Sequence, residues 1–261
     1  MATISVVIPA LNDAVLLRGC LGALATQTRA PDEIIVVDNG STDDTAAVAI
    51  AGGARVVSEP IRGIFPATAA GFDAASGDIL ARLDADSRPM PGWIERVERT
   101  LADQHGLVAV TGPGTFYGAG PVKRVLGRVI WIGGMFWFTR LVLGHPMVFG
   151  SNYAMPAEIW RRVRGTVHRD LRDVHDDLDL SYHFEPDMTV LYDRELVVQV
   201  SARPFDSFGS LWRRLSLVWS TLSLDFAEQS PAIRRRLRTE WATAQVAENG
   251  APQEENPGLA G

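Results

Sequence analysis

The chain predicts an α/β fold, a mostly parallel central sheet with helices on both faces, on three observations. Short apolar runs alternate with stretches of helical periodicity through the N-terminal half. The runs, such as TISVVIP (3–9) and EIIVVD (33–38), are apolar almost throughout, as strands buried on both faces must be. Three of them finish in polar residues, the position at which ligands sit in such sheets.

Taken in order, Thr3–Pro9 is rich in β-branched residues and predicts the first strand. Asp13–Thr26 carries Val15, Leu16, Leu17, Leu21 and Leu24 at helical spacing. Glu33–Asp38 predicts a second strand and Asp43–Ala51 a second helix, with Ser41 or Thr42 as its N-cap. Arg55–Ser58 predicts a short strand, Ala67–Ala75 an Ala-rich helix and Asp78–Asp84 a fourth strand. Pro91–Ala102 predicts a helix with proline near its start, followed by a strand at Leu107–Thr111. Residues 112–150 are Gly-rich, aromatic and apolar, 165–187 are dense in His, Asp and Arg, and 208–241 have helical character. The segment 246–261 has the composition of a disordered tail.

Bulk properties exclude several classes. A length of 261 residues, 46% hydrophobic and 21% charged, describes a globular protein with a full core. A net charge of −6 argues against a nucleic-acid partner. The only cysteine, Cys20, lies in an apolar helical pattern, so no intramolecular disulfide is available and a reducing cytoplasm suits the chain. Residues 1–9 lack the basic start of a signal peptide. The longest apolar run, Val129–Phe138, is about half the ~20 residues that span a bilayer.

Asp84-Ala85-Asp86 poses the chemical question. Two carboxylates at a strand end repel each other and are costly to bury unless a cation neutralises them. Alternation puts Arg82 on the same strand face as Asp84, so an internal salt bridge is one answer. A divalent ion is the other, since one or two carboxylates suffice when phosphates complete its shell.

The stretches VVIPALND (6–13), IIVVDNGSTDDT (34–45), GDILARLDADS (77–87) and HDDLDLSYHF (175–184) together resemble the family 2 glycosyltransferases of GT-A fold. The resemblance implies transfer of a sugar from a nucleotide-diphosphate donor to an acceptor, usually with inversion, assisted by Mg²⁺ or Mn²⁺. It implies that Asp86 holds the metal, that Asp84 and Ala85 lie on the ribose side of the donor, and that Asp38 accepts from the base or ribose. The alternative for Asp38 is a bond to its own turn backbone. Pro9, Ala10 and Leu11 would offer backbone contacts to the base. Asn12 and Asp13 would lie near base and ribose, with helix capping the alternative for Asp13. Arg62 and Gly63 would contact the diphosphate or ribose, whereas Thr68 and Ala69 replace a usual Arg-Asn pair and are expected only to pack. Asp177 occupies the place of the catalytic base, with Asp176 in place of a glutamate and His183 where an arginine is common.

On this reading, residues 1–112 form a donor-binding half and 113–200 an acceptor and base half of one domain. Residues 201–245 form a helical extension before the tail at 246–261. The expected partners are a nucleotide-diphosphate sugar and a glycan or lipid-linked acceptor. Lys123, Arg124, Arg128 and Arg140 flank the apolar run at 129–138. In 210–226, Leu211, Leu215, Val218, Leu222 and Phe226 form a stripe, with Arg234, Arg235, Arg236 and Arg238 beyond it. Both segments suit either the core or the inner face of a membrane. Two competing readings are a sugar-1-phosphate nucleotidyltransferase, against which the PALND turn lacks a Gly-rich basic loop, and an inactive binding protein of the same fold.

Overall fold

The computed structural model describes residues 1–103, 106–118, 120, 125, 127, 133–203 and 208–250. Its strands are β1 (Ile4–Ala10), β2 (Glu33–Asp38), β3 (Arg55–Ser58), β4 (Ile79–Arg82), β5 (Arg88–Pro89), β6 (Leu107–Thr111), β7 (Gly114–Tyr117), β8 (Tyr153–Pro156), β9 (Thr189–Tyr192) and β10 (Val198–Ser201). Its helices are α1 (Ala14–Ala25), α2 (Thr45–Ala51), α3 (Ile64–Ala74), α4 (Trp93–Asp103), α5 (Gly134–Leu143), α6 (Ala157–Val163), α7 (Asp176–Tyr182), α8 (Phe208–Glu228) and α9 (Pro231–Gly250).

Seven strands form one sheet in the order β3-β2-β1-β4-β8-β6-β9, in which β8 alone runs antiparallel to its neighbours. Side chains of β1 divide between the two faces as the pleat requires. Ile4, Val6 and Ile8 join Leu17, Leu21 and Leu24 of α1 and Val97 of α4. Val7, with Ile35 and Val37 of β2, joins Phe65 and Phe72 of α3 and Trp160 of α6. The expected mostly parallel sheet, covered on both faces, is what the chain builds. Cys20 is fully buried. A Cβ at Gly71 would lie 2.3 Å from Val7 Cγ1, so glycine lets α3 sit directly on the sheet.

The elements depart from expectation in places. Helix α2 starts at Thr45, and neither Ser41 nor Thr42 caps it. The Ser41 hydroxyl accepts from the Asn12 amide at 3.0 Å instead, and Asp43 bonds Thr45. Helix α3 starts three residues early because Pro66 fits its first turn. Residues 246–250, expected in the tail, continue α9; 251–261 lie outside the described residues, as do Lys123, Arg124, Arg128 and 129–132. On α8 the inward face carries Thr221, Leu222 and Asp225, while Leu215 and Phe226 of the expected stripe are exposed. Arg234 and Arg238 turn inward: both donate to the Phe184 carbonyl, at 3.0 and 2.9 Å. Among the described residues no helix is long and apolar enough to cross a membrane.

Candidate active site

Arg82 is the last residue of β4 and 1% exposed. Its neighbour Leu80 packs under α3, so alternation aims the guanidinium at the same face. A buried guanidinium keeps its charge and needs acceptors around it. Nη1 lies 2.5 Å from Asp84 Oδ1 and also donates to the Gly150 carbonyl. Nη2 lies 3.1 Å from Asp176 Oδ2. The internal salt bridge considered for Asp84 therefore exists. The Ser151 hydroxyl donates to the other Asp84 oxygen. Burial pushes the Asp84 carboxyl up, but Arg82 and Ser151 outweigh it and hold the group below the usual carboxylate range.

Asp86 is different. Burial and the charge of Asp84 push its carboxyl up to about 6. Its contact is distant, Arg203 Nη2 at 3.4 Å from Oδ2. Arg203 Nη1 also donates to Asp13 Oδ1 at 2.9 Å, so one guanidinium joins the ends of β1 and β4. Asp13 makes no cap bond to α1. Tyr117 donates its hydroxyl to the Asp86 carbonyl at 2.8 Å, and the Arg88 guanidinium stacks 4.1 Å above the Tyr117 ring.

The ends of β1 and β2 lie side by side, with Ala10 opposite Asp38. Pro9, Ala10 and Ala85 are buried, and Leu11 is exposed. Asn12 adopts a left-handed φ of 54°, one that Asn tolerates. From there its Oδ1 accepts from the Thr42 amide at 2.8 Å and clips the two loops together. Asp38 Oδ1 accepts from the Ser41 amide at 2.9 Å, the turn bond weighed against its ligand role. Arg62 donates to the Gly40 carbonyl at 3.0 Å, and the Gly63 amide to Asn39 Oδ1 at 2.9 Å.

Helix α7 brings its first-turn acids against β4. Asp176 accepts from Arg82 and, at 2.7 Å, from the Thr68 hydroxyl of α3. Thr68 therefore does more than pack, contrary to expectation; the signal was the hydroxyl itself, whose partner lies 108 residues away. Burial raises the Asp176 carboxyl despite Arg82. Asp177 Oδ2 accepts from the Gly150 amide at 2.7 Å, and Oδ1 lies 2.5 Å from His175 Nδ1. Burial pushes Asp177 up, but His175 and the Gly150 amide pull harder and hold it low. His175 is raised in return: its burial is outweighed by Asp177. Gly150 touches both sides, since a Cβ there would lie 2.9 Å from Arg82 Nη1 and 3.0 Å from Asp177 Oδ2. His183 lies elsewhere, against Asp179 and Glu228. Sequence reasoning gave no role to Arg203, Gly150, Ser151 or His175.

Comparison with known proteins agrees with the fold. The family model "Glycosyl transferase family 2" matches residues 5–153, more than half of the chain. Glucosyl-3-phosphoglycerate synthase of Mycobacterium tuberculosis is 43% identical over 118 residues, 41% of this chain and 36% of that protein. Glycosyltransferase AglE of Haloferax volcanii is 35% identical over 107 residues, 38% of this chain and 35% of AglE. The matched segment thus spans well under half the length of these relatives. Among solved structures, the Mycobacterium tuberculosis glucosyl-3-phosphoglycerate synthase with Mn²⁺, UDP and glucosyl-3-phosphoglycerate is 28% identical. It aligns with a TM-score of 0.55 over 83% of this chain and 79% of that one. Motifs, sheet order and family match coincide, and the chain belongs to the family 2 glycosyltransferases.

Proposed function

We propose that the chain transfers a sugar from a nucleotide-diphosphate donor, with a divalent metal at Asp86, to an acceptor hydroxyl deprotonated by Asp177. The observation that carries this reading is the pair of linked strand ends: Arg203 joins Asp13 to Asp86, while Arg82 joins Asp84 to Asp176 on α7. Donor-side and acceptor-side carboxylates on this reading meet at the carboxyl ends of the central strands. Asp86 suits Mg²⁺ or Mn²⁺, being a hard oxygen donor with only a 3.4 Å contact to Arg203. The solved relatives with Mn²⁺ and UDP or UDP-glucose support that choice. The metal, when bound, stabilises the charge that develops on the departing diphosphate.

The chain's own groups do the rest. Arg203, half-exposed, offers a cation beside the diphosphate. Asp84, locked by Arg82 and Ser151, keeps a fixed acceptor towards the ribose, and Asp38, Asn12, Arg62 and Gly63 shape the base and ribose wall. Asp177 is held ionised by His175 and the Gly150 amide and so is the group that takes the proton. Direct displacement from the face opposite the diphosphate inverts the anomeric centre. The test is hydrolysis and transfer across UDP-, GDP- and dTDP-sugars with Mn²⁺ or Mg²⁺, UDP-glucose first. Metal-dependent turnover that is abolished in Asp86→Ala is expected; full turnover in EDTA would overturn the reading.

The acceptor is proposed to be lipid-linked and met at a membrane surface. Trp137 of α5 and Trp212 and Trp219 of α8 are 71%, 64% and 75% exposed, with Phe138, Leu141 and Leu215 also exposed. Leu143 of α5 and Leu222 of α8 belong to one small core with Leu178 and Tyr182 of α7. Exposed Trp and Leu beside a cation such as Arg140 fit a lipid interface. Co-sedimentation with vesicles containing anionic lipid, lost in Trp137→Ser/Trp219→Ser, is the expected result. Absence of vesicle binding together with efficient use of a soluble acceptor such as phosphoglycerate would overturn it.

A further inference from the structure

Away from the strand end that carries Asp86, a second group of side chains has the chemistry of a metal centre. Asp179 of α7 and His183, which caps the end of that helix, stand four residues apart, Asp225 faces them from α8, and His168 approaches from the loop after α6. Candidate ligand atoms of all four lie within 4.8 Å of one another. Asp179 and Asp225 are both 0% exposed. Neither oxygen of Asp225 has a hydrogen-bond partner, although both are buried. An unpartnered buried carboxylate aimed at a second buried carboxylate is costly unless something positive lies between them.

The imidazoles are turned the right way for a cation. Glu228 Oε1 lies 3.2 Å from His168 Nε2, and Oε2 lies 3.2 Å from His183 Nε2. Glu228 thus stands behind both rings and bonds His183 Nε2, while both Nδ1 atoms face Asp179: His168 Nδ1 lies 2.6 Å from its Oδ1 and His183 Nδ1 2.8 Å from its carbonyl oxygen. A carboxylate behind a ligating histidine, fixing its tautomer, is the usual outer shell of a protein metal site. His183 Nδ1 lies 3.4 Å from Asp179 Oδ2, and His168 Nδ1 lies 3.8 Å from Asp225 Oδ1. Bonds of about 2.0–2.2 Å around a tetrahedral ion set ligand atoms roughly 3.4 Å apart, so His168 Nδ1 and Asp179 Oδ1, now 2.6 Å apart, must separate as the ion replaces the proton between them.

We propose that His168, Asp179, His183 and Asp225 bind one zinc-like divalent ion, a structural site separate from Asp86, with Glu228 orienting both histidines. Two imidazoles and two carboxylates favour Zn²⁺ over Mg²⁺, which demands six oxygen-type ligands. The ion ties the loop after α6 and the long helix α8 to α7. It thereby holds the helix whose opposite side carries Asp177.

The test is metal content, not turnover. Wild-type protein and Asp86→Ala are loaded with Zn²⁺, dialysed against Mg²⁺ buffer and analysed by plasma mass spectrometry. Both are expected to retain about one zinc per chain, Asp225→Asn to retain none, and Glu228→Gln to bind about 10–100-fold more weakly. Retention by Asp225→Asn equal to wild type, or zinc lost with Asp86→Ala, would overturn the proposal. Should Asp225→Asn not fold, the Co²⁺-substituted wild-type protein decides. Intense visible bands of a tetrahedral ion support the site, and the pale spectrum of an octahedral one refutes it.

Discussion

Arg82 Nη2 and Asp176 Oδ2 lie 3.1 Å apart, and both side chains are almost wholly removed from water. The pair fixes helix α7 to the end of strand β4. Removing one member of such a pair leaves a charge buried without compensation, which typically costs about 3–5 kcal/mol. Arg82→Met is therefore expected to lower the unfolding free energy by that amount in urea titration. Arg82→Met/Asp176→Asn is expected to recover part of the loss. A single variant as stable as wild type would show that the pair does not hold the junction.

Gly150→Ala tests the same junction sterically. The added methyl meets Arg82 and Asp177 at 2.9 and 3.0 Å, short of van der Waals contact. Overpacking of this kind costs about 1–3 kcal/mol, and the transfer rate should fall with it. Gly22→Ala is the control, because a Cβ there, inside α1, meets nothing within 4 Å. That variant should gain about 0.5–1 kcal/mol. Equal stability of the two variants, by thermal melting, would contradict the contact.

Asp177→Asn keeps the shape of the side chain and removes the proton acceptor. The expected outcome is a transfer rate lower by ~10²–10⁴-fold with donor affinity retained. Asp176→Ala should act chiefly on stability, because Asp176 is held between Arg82 and Thr68. Donor titration and transfer rate measured side by side check both. Wild-type transfer by Asp177→Asn would sink the base assignment.

His145 predicts a pH dependence of stability. Burial and the nearby Arg238 push its imidazole down to about 3, and Nδ1 faces the Pro146 carbonyl at 2.8 Å. The folded protein thus holds it neutral, while the unfolded chain protonates it near pH 6.5. Between those values the unfolded state binds the extra proton, so stability falls as pH drops below about 6.5, by up to about 1.4 kcal/mol per unit. Urea unfolding at pH 7.5 and 5 should show a smaller decline in His145→Gln than in wild type. Equal declines would remove His145 as a cause.

Local pattern was enough to locate the strands, most helices and the aspartates at strand ends. Strand burial and helix amphipathicity repeat within a few residues, so Ile4–Ala10, Glu33–Asp38 and the order of elements follow from the sequence itself. So does the placement of Asp38 and Asp84 at the same end of the sheet, because parallel strands present their carboxyl ends together. Tertiary structure alone decided what neutralises those acids. Arg203 reaches Asp13 across 190 residues and Asp86 across 117, and no periodicity encodes such a meeting. Thr68 looked like packing because its partner Asp176 is contributed by another helix. Arg234 and Arg238 looked like a basic surface, yet bond the backbone around Phe184, since a long side chain can snorkel either way and only the surrounding acceptors choose. Asp225 falls in an amphipathic helix that sequence assigned to lipid or core, and only folding set its carboxylate against Asp179 and two histidines. Distance along the chain carries no information about which faces meet, and charge compensation in a buried site is settled by that meeting.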